Sequence, residues 1–337
     1  MKLASLDLAG RDGRLVVVDR TLHRCVAADA VAPTLQAALD DWDRAAPALA
    51  ALSRDLEAGR VASIPFEADK ALAPLPRGPQ FLDGSAYLSH IELVRRSRGA
   101  DMPDSLLTDP LMYQGCSAPF MSAHAPLPCP APSWGLDYEG EIGILTGDVP
   151  AGIAADQAGR HIRLLVLLND VSLRGLIPTE LAKGFGFVHG KPPSALAPVA
   201  VTPDEAADAW DGSRLHLGLS SHVNGQSMGC PQAGLDMQFG FPELVAHAAK
   251  TRPLAVGTLI GGGTVSNFDR SQGFACLMER RMWEKETAGA AKTPFLAPGD
   301  EVRLDVRLAD GSSLFGEIRQ KVAAPPARAI APGPGGM

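Results

Sequence analysis

One stretch constrains this chain more than any other: Trp134-Gly-Leu-Asp137-Tyr-Glu139-Gly-Glu141-Ile-Gly-Ile-Leu145. Acids alternate with apolar or small residues and then give way to an apolar run, the pattern of a strand entering a core. Side chains two apart on a strand share a face, so Glu139 and Glu141 point the same way. Like charges on one face repel, and a buried charge needs a partner. Two outcomes are open. Either the strand face is exposed and both glutamates are solvated, or it is buried and a divalent cation neutralises them, because hard cations take carboxylate oxygen.

Composition narrows the setting. At 337 residues the chain can form one large domain or two smaller ones. The apolar runs, such as Leu164-Leu-Val-Leu-Leu168, are too short to cross a bilayer, so no membrane partner is expected. The opening Met-Lys-Leu-Ala-Ser-Leu-Asp lacks a continuous apolar segment and does not read as a signal peptide. The five cysteines are scattered without C-x-x-C spacing, which suits reduced thiols and a cytoplasmic location. A net charge of −7 argues against a nucleic-acid partner. An anionic substrate would therefore need local cations or a metal to recruit it. Gly (35) and Pro (28) are abundant while aromatics make up 5%, which favours a turn-rich β protein.

Taken in order, Lys2–Leu8 and Arg14–Asp19 read as a hairpin around Gly10-Arg-Asp-Gly13. Leu35, Ala38, Leu39 and Trp42 form a helical stripe, continued by Leu49, Leu52 and Leu56, over residues 34–58. Residues 1–75 are expected to form a small N-terminal α/β domain, with Ala73-Pro-Leu-Pro-Arg-Gly-Pro79 as linker and 76–325 as the main domain. Leu88, Ile91, Val94 and Arg95 lie at helical spacing, with Asp83 or Ser85 as N-cap. A loop-rich segment covers 99–135, and loops of that length are usually functional. Ile162–Leu168 reads as a central strand ending at Asp170, and 178–197 as a Gly/Pro/Ser-rich loop. Strands are expected around 215–219 and 222–223, followed by an Asn224-Gly225 turn. Phe241–Lys250 reads as a helix with Pro242 in its first turn. Strands are then expected near 275–282, 301–308 and 313–321, and 326–337 as a flexible tail. The sum is a β-rich α+β fold with peripheral helices.

The chemistry-bearing candidates follow from this layout. Asp170, at a strand exit, either joins the two glutamates as a metal ligand or bonds loop amides. Asp83 either ligates or caps its helix. His90 is the general-base candidate, against the alternative of a structural histidine. Lys191 and Arg174 bring positive charge to the acids, or pair with Glu180 or the surface. No H-E-x-x-H and no G-x-S-x-G occurs, which removes support for zincin and serine-hydrolase readings. Gly261-Gly-Gly263-Thr264 lacks the P-loop frame and reads as a tight turn or a close backbone approach to a ligand.

Several of these pieces stand in one order. Asp137-Tyr-Glu139-Gly-Glu141, then Asn169-Asp170-Val-Ser172-Leu-Arg174, then Gly190-Lys191 with Pro198 after it, then Gly263-Thr264-Val-Ser266 resemble the fumarylacetoacetate hydrolase family over about 80–325. The resemblance implies a mixed β-roll, usually dimeric, that binds Mg²⁺ or Ca²⁺, with Mn²⁺ as a third candidate. Its metal ligands would be Glu139, Glu141 and Asp170. Asp83 followed seven residues later by His90, and Tyr113-Gln-Gly115 after that helix, resemble the fumarylacetoacetase-like branch, in which the aspartate is a ligand and the histidine activates water. A separate N-terminal segment points to the same longer branch.

The sequence also departs from the family. Ile177 stands where a glutamine is expected, Ser194-Ala195 replaces a threonine region, and Glu279 is the nearest candidate for the late catalytic glutamate. The first 75 residues do not align with the family's SH3-like domain. The reaction the resemblance implies is metal-dependent hydrolysis of a carbon–carbon bond in an anionic 1,3-diketone acid such as fumarylacetoacetate, a step of tyrosine degradation. His90, Lys191 and Glu279 would be catalytic, and Tyr113, Arg174 and Thr264 would bind substrate. Decarboxylation, hydration, isomerisation or acylpyruvate cleavage of 2-keto acids on the same scaffold is the alternative, and a non-catalytic binding protein is a third.

Overall fold

The computed structural model describes residues 1–8, 10–96 and 101–324; the expected tail at 326–337 lies outside them. Strands β1 (Lys2–Leu6) and β2 (Arg14–Val18) form the expected hairpin, with Gly13 in the turn at φ +68°, and β3 (Arg24–Ala27) continues it. The helical stripe at 34–58 is two helices, α1 (Leu35–Asp40) and α2 (Trp42–Glu57). They break at Asp41, whose backbone leaves the helical region at φ −132°, ψ 52°. Strand β4 (Ile64–Pro65) closes this region.

Strand β5 (Phe81–Gly84) corrects the sequence reading at Asp83. The aspartate sits on a strand and caps nothing, and α3 begins only at Leu88 and runs to Arg96. After β6 (Met112–Gln114) and β7 (Leu136–Asp137), β8 (Gly140–Thr146) and β9 (Ile162–Asn169) pair antiparallel, with the short helix α4 (Ala155–Ala158) between them. Every residue of β8 is buried, so Glu141 belongs to a core strand, and Glu139 is buried immediately before it. Strand β10 (Ser172–Leu173) pairs with β7. Helix α5 (Ile177–Lys183) occupies part of the expected 178–197 loop; Pro178 opens it and Gly184, at φ +77°, ends it.

Strands β11 (Ala195–Leu196) and β12 (Ala200–Val201) follow. The two strands expected near 215–223 are one, β13 (Leu219–Val223), joined to β14 (Gln226–Gly229) through Asn224 and Gly225, both at positive φ. Helix α6 (Phe241–Ala248) and β15 (Leu259–Gly261) come next. The strand expected at 275–282 is instead helix α7 (Leu277–Ala288), and β16 (Glu301–Val306) and β17 (Ile318–Lys321) finish the described fold.

One large sheet runs β4-β3-β2-β1-β12-β9-β8-β15-β5-β6, with β11 also on β9. It is mixed, because β15 pairs parallel with β5 and antiparallel with β8. The N-terminal hairpin is part of it through β1 and β12, with Leu3 opposite Ala200. Leu3, Leu15 and Val17 share one apolar cluster with Leu145, Leu164 and Val166. The second sheet, β14-β13-β16-β17, packs over the other core. Among the described residues no helix is long and apolar enough to cross a membrane.

Candidate metal centre and active site

The site forms where β5, β15 and β8 lie side by side. In register, Gly261 stands opposite Asp83 on one side and Gly143 on the other. Gly261 carries no Cβ, and the vacated space holds carboxylates: a Cβ there would meet Asp83 Oδ1 at 2.2 Å and Glu141 Oε2 at 2.9 Å. Asp170 follows β9. Its amide donates to the Glu139 carbonyl at 2.9 Å, and the Asn169 side chain accepts from the Glu139 amide at 3.1 Å. Oxygens of Asp83, Glu141 and Asp170 thus lie within 4.8 Å of one another, all buried.

These acids are unequally satisfied. Asp170 Oδ2 accepts from Lys191 Nζ and from the Tyr113 hydroxyl, each at 2.5 Å, and Oδ1 accepts from Ser194 Oγ at 2.6 Å. Glu139, which the sequence reading made a ligand, is held by cations: Lys191 Nζ donates to Oε2 at 2.7 Å, and the Arg174 guanidinium pairs with Oε1. It lies beside the gathered trio and outside it. Asp83 Oδ1 and both oxygens of Glu141 are buried with no hydrogen-bond donor. A buried acceptor without a donor is costly, and three carboxylates gathered within 4.8 Å, two of them with donor-less oxygens, are what a hard cation requires. The donor set therefore fits a divalent cation of the Mg²⁺, Ca²⁺ or Mn²⁺ kind.

Electrostatics agree. Burial, then the Asp170 charge, pushes the Asp83 carboxyl up to about 8. Burial and the charges of Asp83 and Asp170 raise Glu141 well above the carboxylate range. Burial also opposes ionisation of Glu139, but Arg174 and Lys191 outweigh it and hold that carboxyl below its ordinary range. Lys191 is the mirror case: burial depresses it, and Asp170 and Glu139 more than restore its charge. When ionised, Asp83, Asp137, Glu139, Glu141 and Asp170 outnumber Arg174 and Lys191, an excess of negative charge that either protons or a cation must neutralise.

A second group faces the same cavity, which holds about 320 Å³ and is lined by Asp83, His90, Tyr113, Lys191 and Thr264 among others. His90 Nδ1 lies 3.3 Å from Glu279 Oε1. That glutamate, fully buried on α7, accepts from Ser266 Oγ at 2.6 Å; Ser266 in turn accepts from Ser89 Oγ at 2.8 Å, and Arg270 stands 3.5 Å from the carboxylate. The Cys276 side chain caps α7 by accepting from the Glu279 amide at 3.4 Å. Burial, with Asp137 next, pushes its thiol well up, which favours a neutral cap in the absence of a metal.

Tyr113, Arg174 and Thr264, the expected substrate-binding residues, all line this cavity. Tyr113 is on β6 opposite Asp83, and its hydroxyl is spent on Asp170, so it steadies an acid. Arg174 Nε donates to Asp137 Oδ2 at 2.8 Å, which with its Glu139 contact commits it to two acids. Thr264 is buried beside Gly263. Only glycine fits at position 263, because φ is +87° and any Cβ there would come within 2.5 Å of the Gly84 carbonyl. Asp137, Ser194 and Ser266 were given no role by sequence reasoning. Asp137 accepts from the amides of Leu277 and Met278 at 2.8 and 3.0 Å, and so ties the start of α7 to Arg174. Its only sequence signal was its place two residues before Glu139.

Known proteins share this fold. Residues 80–323 match the family described as fumarylacetoacetate hydrolase C-terminal, and residues 1–77 match fumarylacetoacetase N-terminal domain 2. The second match accounts for the failure of the first 75 residues to align with an SH3-like domain: the family has more than one N-terminal module. The chain is 27% identical over 206 residues to 2,4-didehydro-3-deoxy-L-rhamnonate hydrolase of Sphingomonas sp., covering 58% of this chain and 68% of that protein. It is 28% identical over 131 residues to oxaloacetate tautomerase YisK of Bacillus subtilis, covering 39% and 41%. Among solved structures, fumarylacetoacetate hydrolase from Exiguobacterium antarcticum superposes with a TM-score of 0.66 at 17% identity, covering 96% of this chain and 99% of that one. Maleylpyruvate hydrolase from Sphingobium sp. SYK-6, in complex with manganese(II) and pyruvate, gives 0.61 at 17% identity with the same coverage.

Proposed function

The chain belongs to the fumarylacetoacetate hydrolase family, and from that premise we propose that it is a divalent-metal-dependent hydrolase that cleaves a carbon–carbon bond in a 1,3-diketone acid of the fumarylacetoacetate class. The observation that carries the reading is the set of donor-less oxygens on Asp83 and Glu141, gathered beside Asp170, with Asp83 and His90 lining one cavity and Glu279 behind His90. Asp83, Glu141 and Asp170 would hold the cation, with Glu139 close by as a charge-paired neighbour. A divalent cation bound there supplies polarisation of the diketone oxygens.

The protein's own groups do the rest. With Nδ1 beside Glu279, His90 has Nε2 left to take a proton from water, and the carboxylate stabilises the imidazolium that results. The deprotonated water oxygen forms a bond to the keto carbon. Lys191 Nζ, charged and pinned by Glu139 and Asp170, stabilises the oxyanion that develops. The bond to the neighbouring carbon then breaks, the electron pair leaves with that carbon, and His90 returns its proton to it. Fumarylacetoacetate would yield fumarate and acetoacetate. Assembly as a homodimer belongs to the same proposal and is read by light scattering.

The test is turnover of fumarylacetoacetate by the purified protein with Mg²⁺ and again after chelation. Metal-dependent loss of the diketone supports the proposal. Loss that survives full chelation contradicts it. The similarity to a tautomerase favours one second reading, proton transfer across a 2-keto acid with His90 as the shuttle. That reading predicts enol–keto exchange of oxaloacetate with no carbon–carbon cleavage.

A further inference from the structure

Helix α7 opens on Cys276 as its cap and carries Glu279 three residues later, the spacing at which two side chains at a helix start stand side by side. Helix α3 packs against α7 and brings in His90. A ring nitrogen of His90, the Cys276 sulfur and a carboxylate oxygen of Glu279 consequently lie within 4.8 Å of one another. Two of these residues carry unused polar atoms. Glu279 is fully buried; its Oε1 is taken by Ser266 and Arg270, while Oε2 is enclosed with no donor among the described residues. His90 Nδ1 is enclosed and makes no hydrogen bond, even at 3.3 Å from Glu279. The sulfur is held by a long contact from the Glu279 amide at 3.4 Å. Buried polar atoms without partners are costly, and proton transfer at His90 uses neither Oε2 nor the sulfur.

The donor set differs in kind from the acidic cluster. Three carboxylates suit a hard cation; one sulfur, one nitrogen and one oxygen suit a softer ion such as Zn²⁺. Donors around a tetrahedral zinc stand about 3.3 to 3.7 Å apart, so these three close on an ion with small side-chain movements, and water fills the fourth position. Entry is from the cavity that His90 lines. A coordinated thiol gives up its proton, so a thiolate and a carboxylate balance the two charges of the ion. We infer that His90, Cys276 and Glu279 form a second metal site, one that takes a Zn²⁺-class ion and withdraws His90 from proton transfer. Such an ion switches the protein off and is not its cofactor. The site stands on its own geometry; its effect on turnover rests on the proposed role of His90.

Cobalt reports the site, because a thiolate on Co²⁺ gives a near-ultraviolet charge-transfer band and carboxylates do not. Co²⁺ is titrated into protein saturated with Mg²⁺. Wild type is expected to develop the band, and Zn²⁺ to erase it. In Cys276→Ser, which keeps a capping hydroxyl, the band is expected to be absent. Its Zn²⁺ affinity, read by calorimetry in the same Mg²⁺ background, is expected to fall at least about 10- to 100-fold, the cost of losing even an outer partner of a metal ligand. His90→Ala is expected to weaken Zn²⁺ binding by at least about tenfold, and it decides the matter should Cys276→Ser fail to fold. No band in wild type overturns the inference. So does a band that survives in Cys276→Ser, which places the ion on another cysteine. Undiminished Mg²⁺-dependent turnover of fumarylacetoacetate at full Zn²⁺ occupancy overturns the withdrawal of His90. A protein that shows the band but consumes no diketone with Mg²⁺ alone keeps the second site and overturns the proposed activity instead.

Discussion

A Cβ at position 261 would intrude on Asp83 Oδ1 and Glu141 Oε2 at 2.2 and 2.9 Å, so glycine there is a condition for the acids to converge. Gly261→Ala should weaken Mn²⁺ binding at least about tenfold by displacing two ligand oxygens, on top of an overpacking cost of about 1–3 kcal/mol. Calorimetry checks this, and unchanged affinity would contradict it. Protonation gives a second residue-scale prediction. Without metal the folded Asp83 carboxyl titrates at about 8, above its unfolded value near 4. Between those values the folded state holds a proton that the unfolded state has released, so metal-free stability falls as pH rises through that window. The shift of Glu141 has the same sign. The depressed Glu139 acts oppositely, its contribution being lost only as pH falls below the carboxylate range. A cation competes with the protons on Asp83 and Glu141. The rise in Tm on adding Mg²⁺ should therefore grow from pH 5 to pH 8; a rise independent of pH would sink the claim. At this scale the sequence was informative in picking out Glu139 and Glu141, both of which are buried. It was silent on which of the two would be captured by Lys191 and Arg174, because those partners arrive from 35 to 52 positions away along the chain.

Among the elements, α7 matters most, since it brings Glu279 to His90. Its start is held by Asp137, which is fully buried and accepts from two α7 amides and from Arg174. Asp137→Ala should destabilise the protein by about 3 kcal/mol or more, because a helix cap is lost and a buried arginine loses one of its acids. Urea unfolding measures it, and a loss under about 0.5 kcal/mol would mean that the cap carries little. The sequence suggested a strand at 275–282, yet Leu277-Met-Glu-Arg-Arg-Met-Trp-Glu is rich in strong helix formers. Asp83 was misplaced for the opposite reason: capping preference is local, and pairing of Phe81–Gly84 with β15 and β6 overrode it. The core strands β8 and β9 were legible because both are long and continuously apolar past their functional ends.

For the whole molecule, the sheet is continuous from the N-terminal hairpin to the acidic cluster of Asp83, Glu141 and Asp170. Removing residues 1–75 would strip β1 from β12 and uncover Leu164 and Val166. The fragment from residue 76 onward should therefore expose apolar surface and bind a hydrophobic dye; a monomeric fragment with a cooperative thermal transition would contradict this. The proline-rich passage at 73–79 reads as a linker in sequence, but pairing between strands some 200 positions apart leaves no local signal that one sheet spans both sides of it. The proposed activity requires the residues gathered on that sheet to activate water for carbon–carbon cleavage with a divalent cation. Mass spectrometry of the products of fumarylacetoacetate in ¹⁸O water, with Mg²⁺ present, decides whether they do. The expected product is fumarate carrying one ¹⁸O in its new carboxylate, formed together with acetoacetate and absent after chelation or in His90→Ala. Intact substrate, or a tautomer with no cleavage, from a protein that still binds Mg²⁺ would contradict that chemistry.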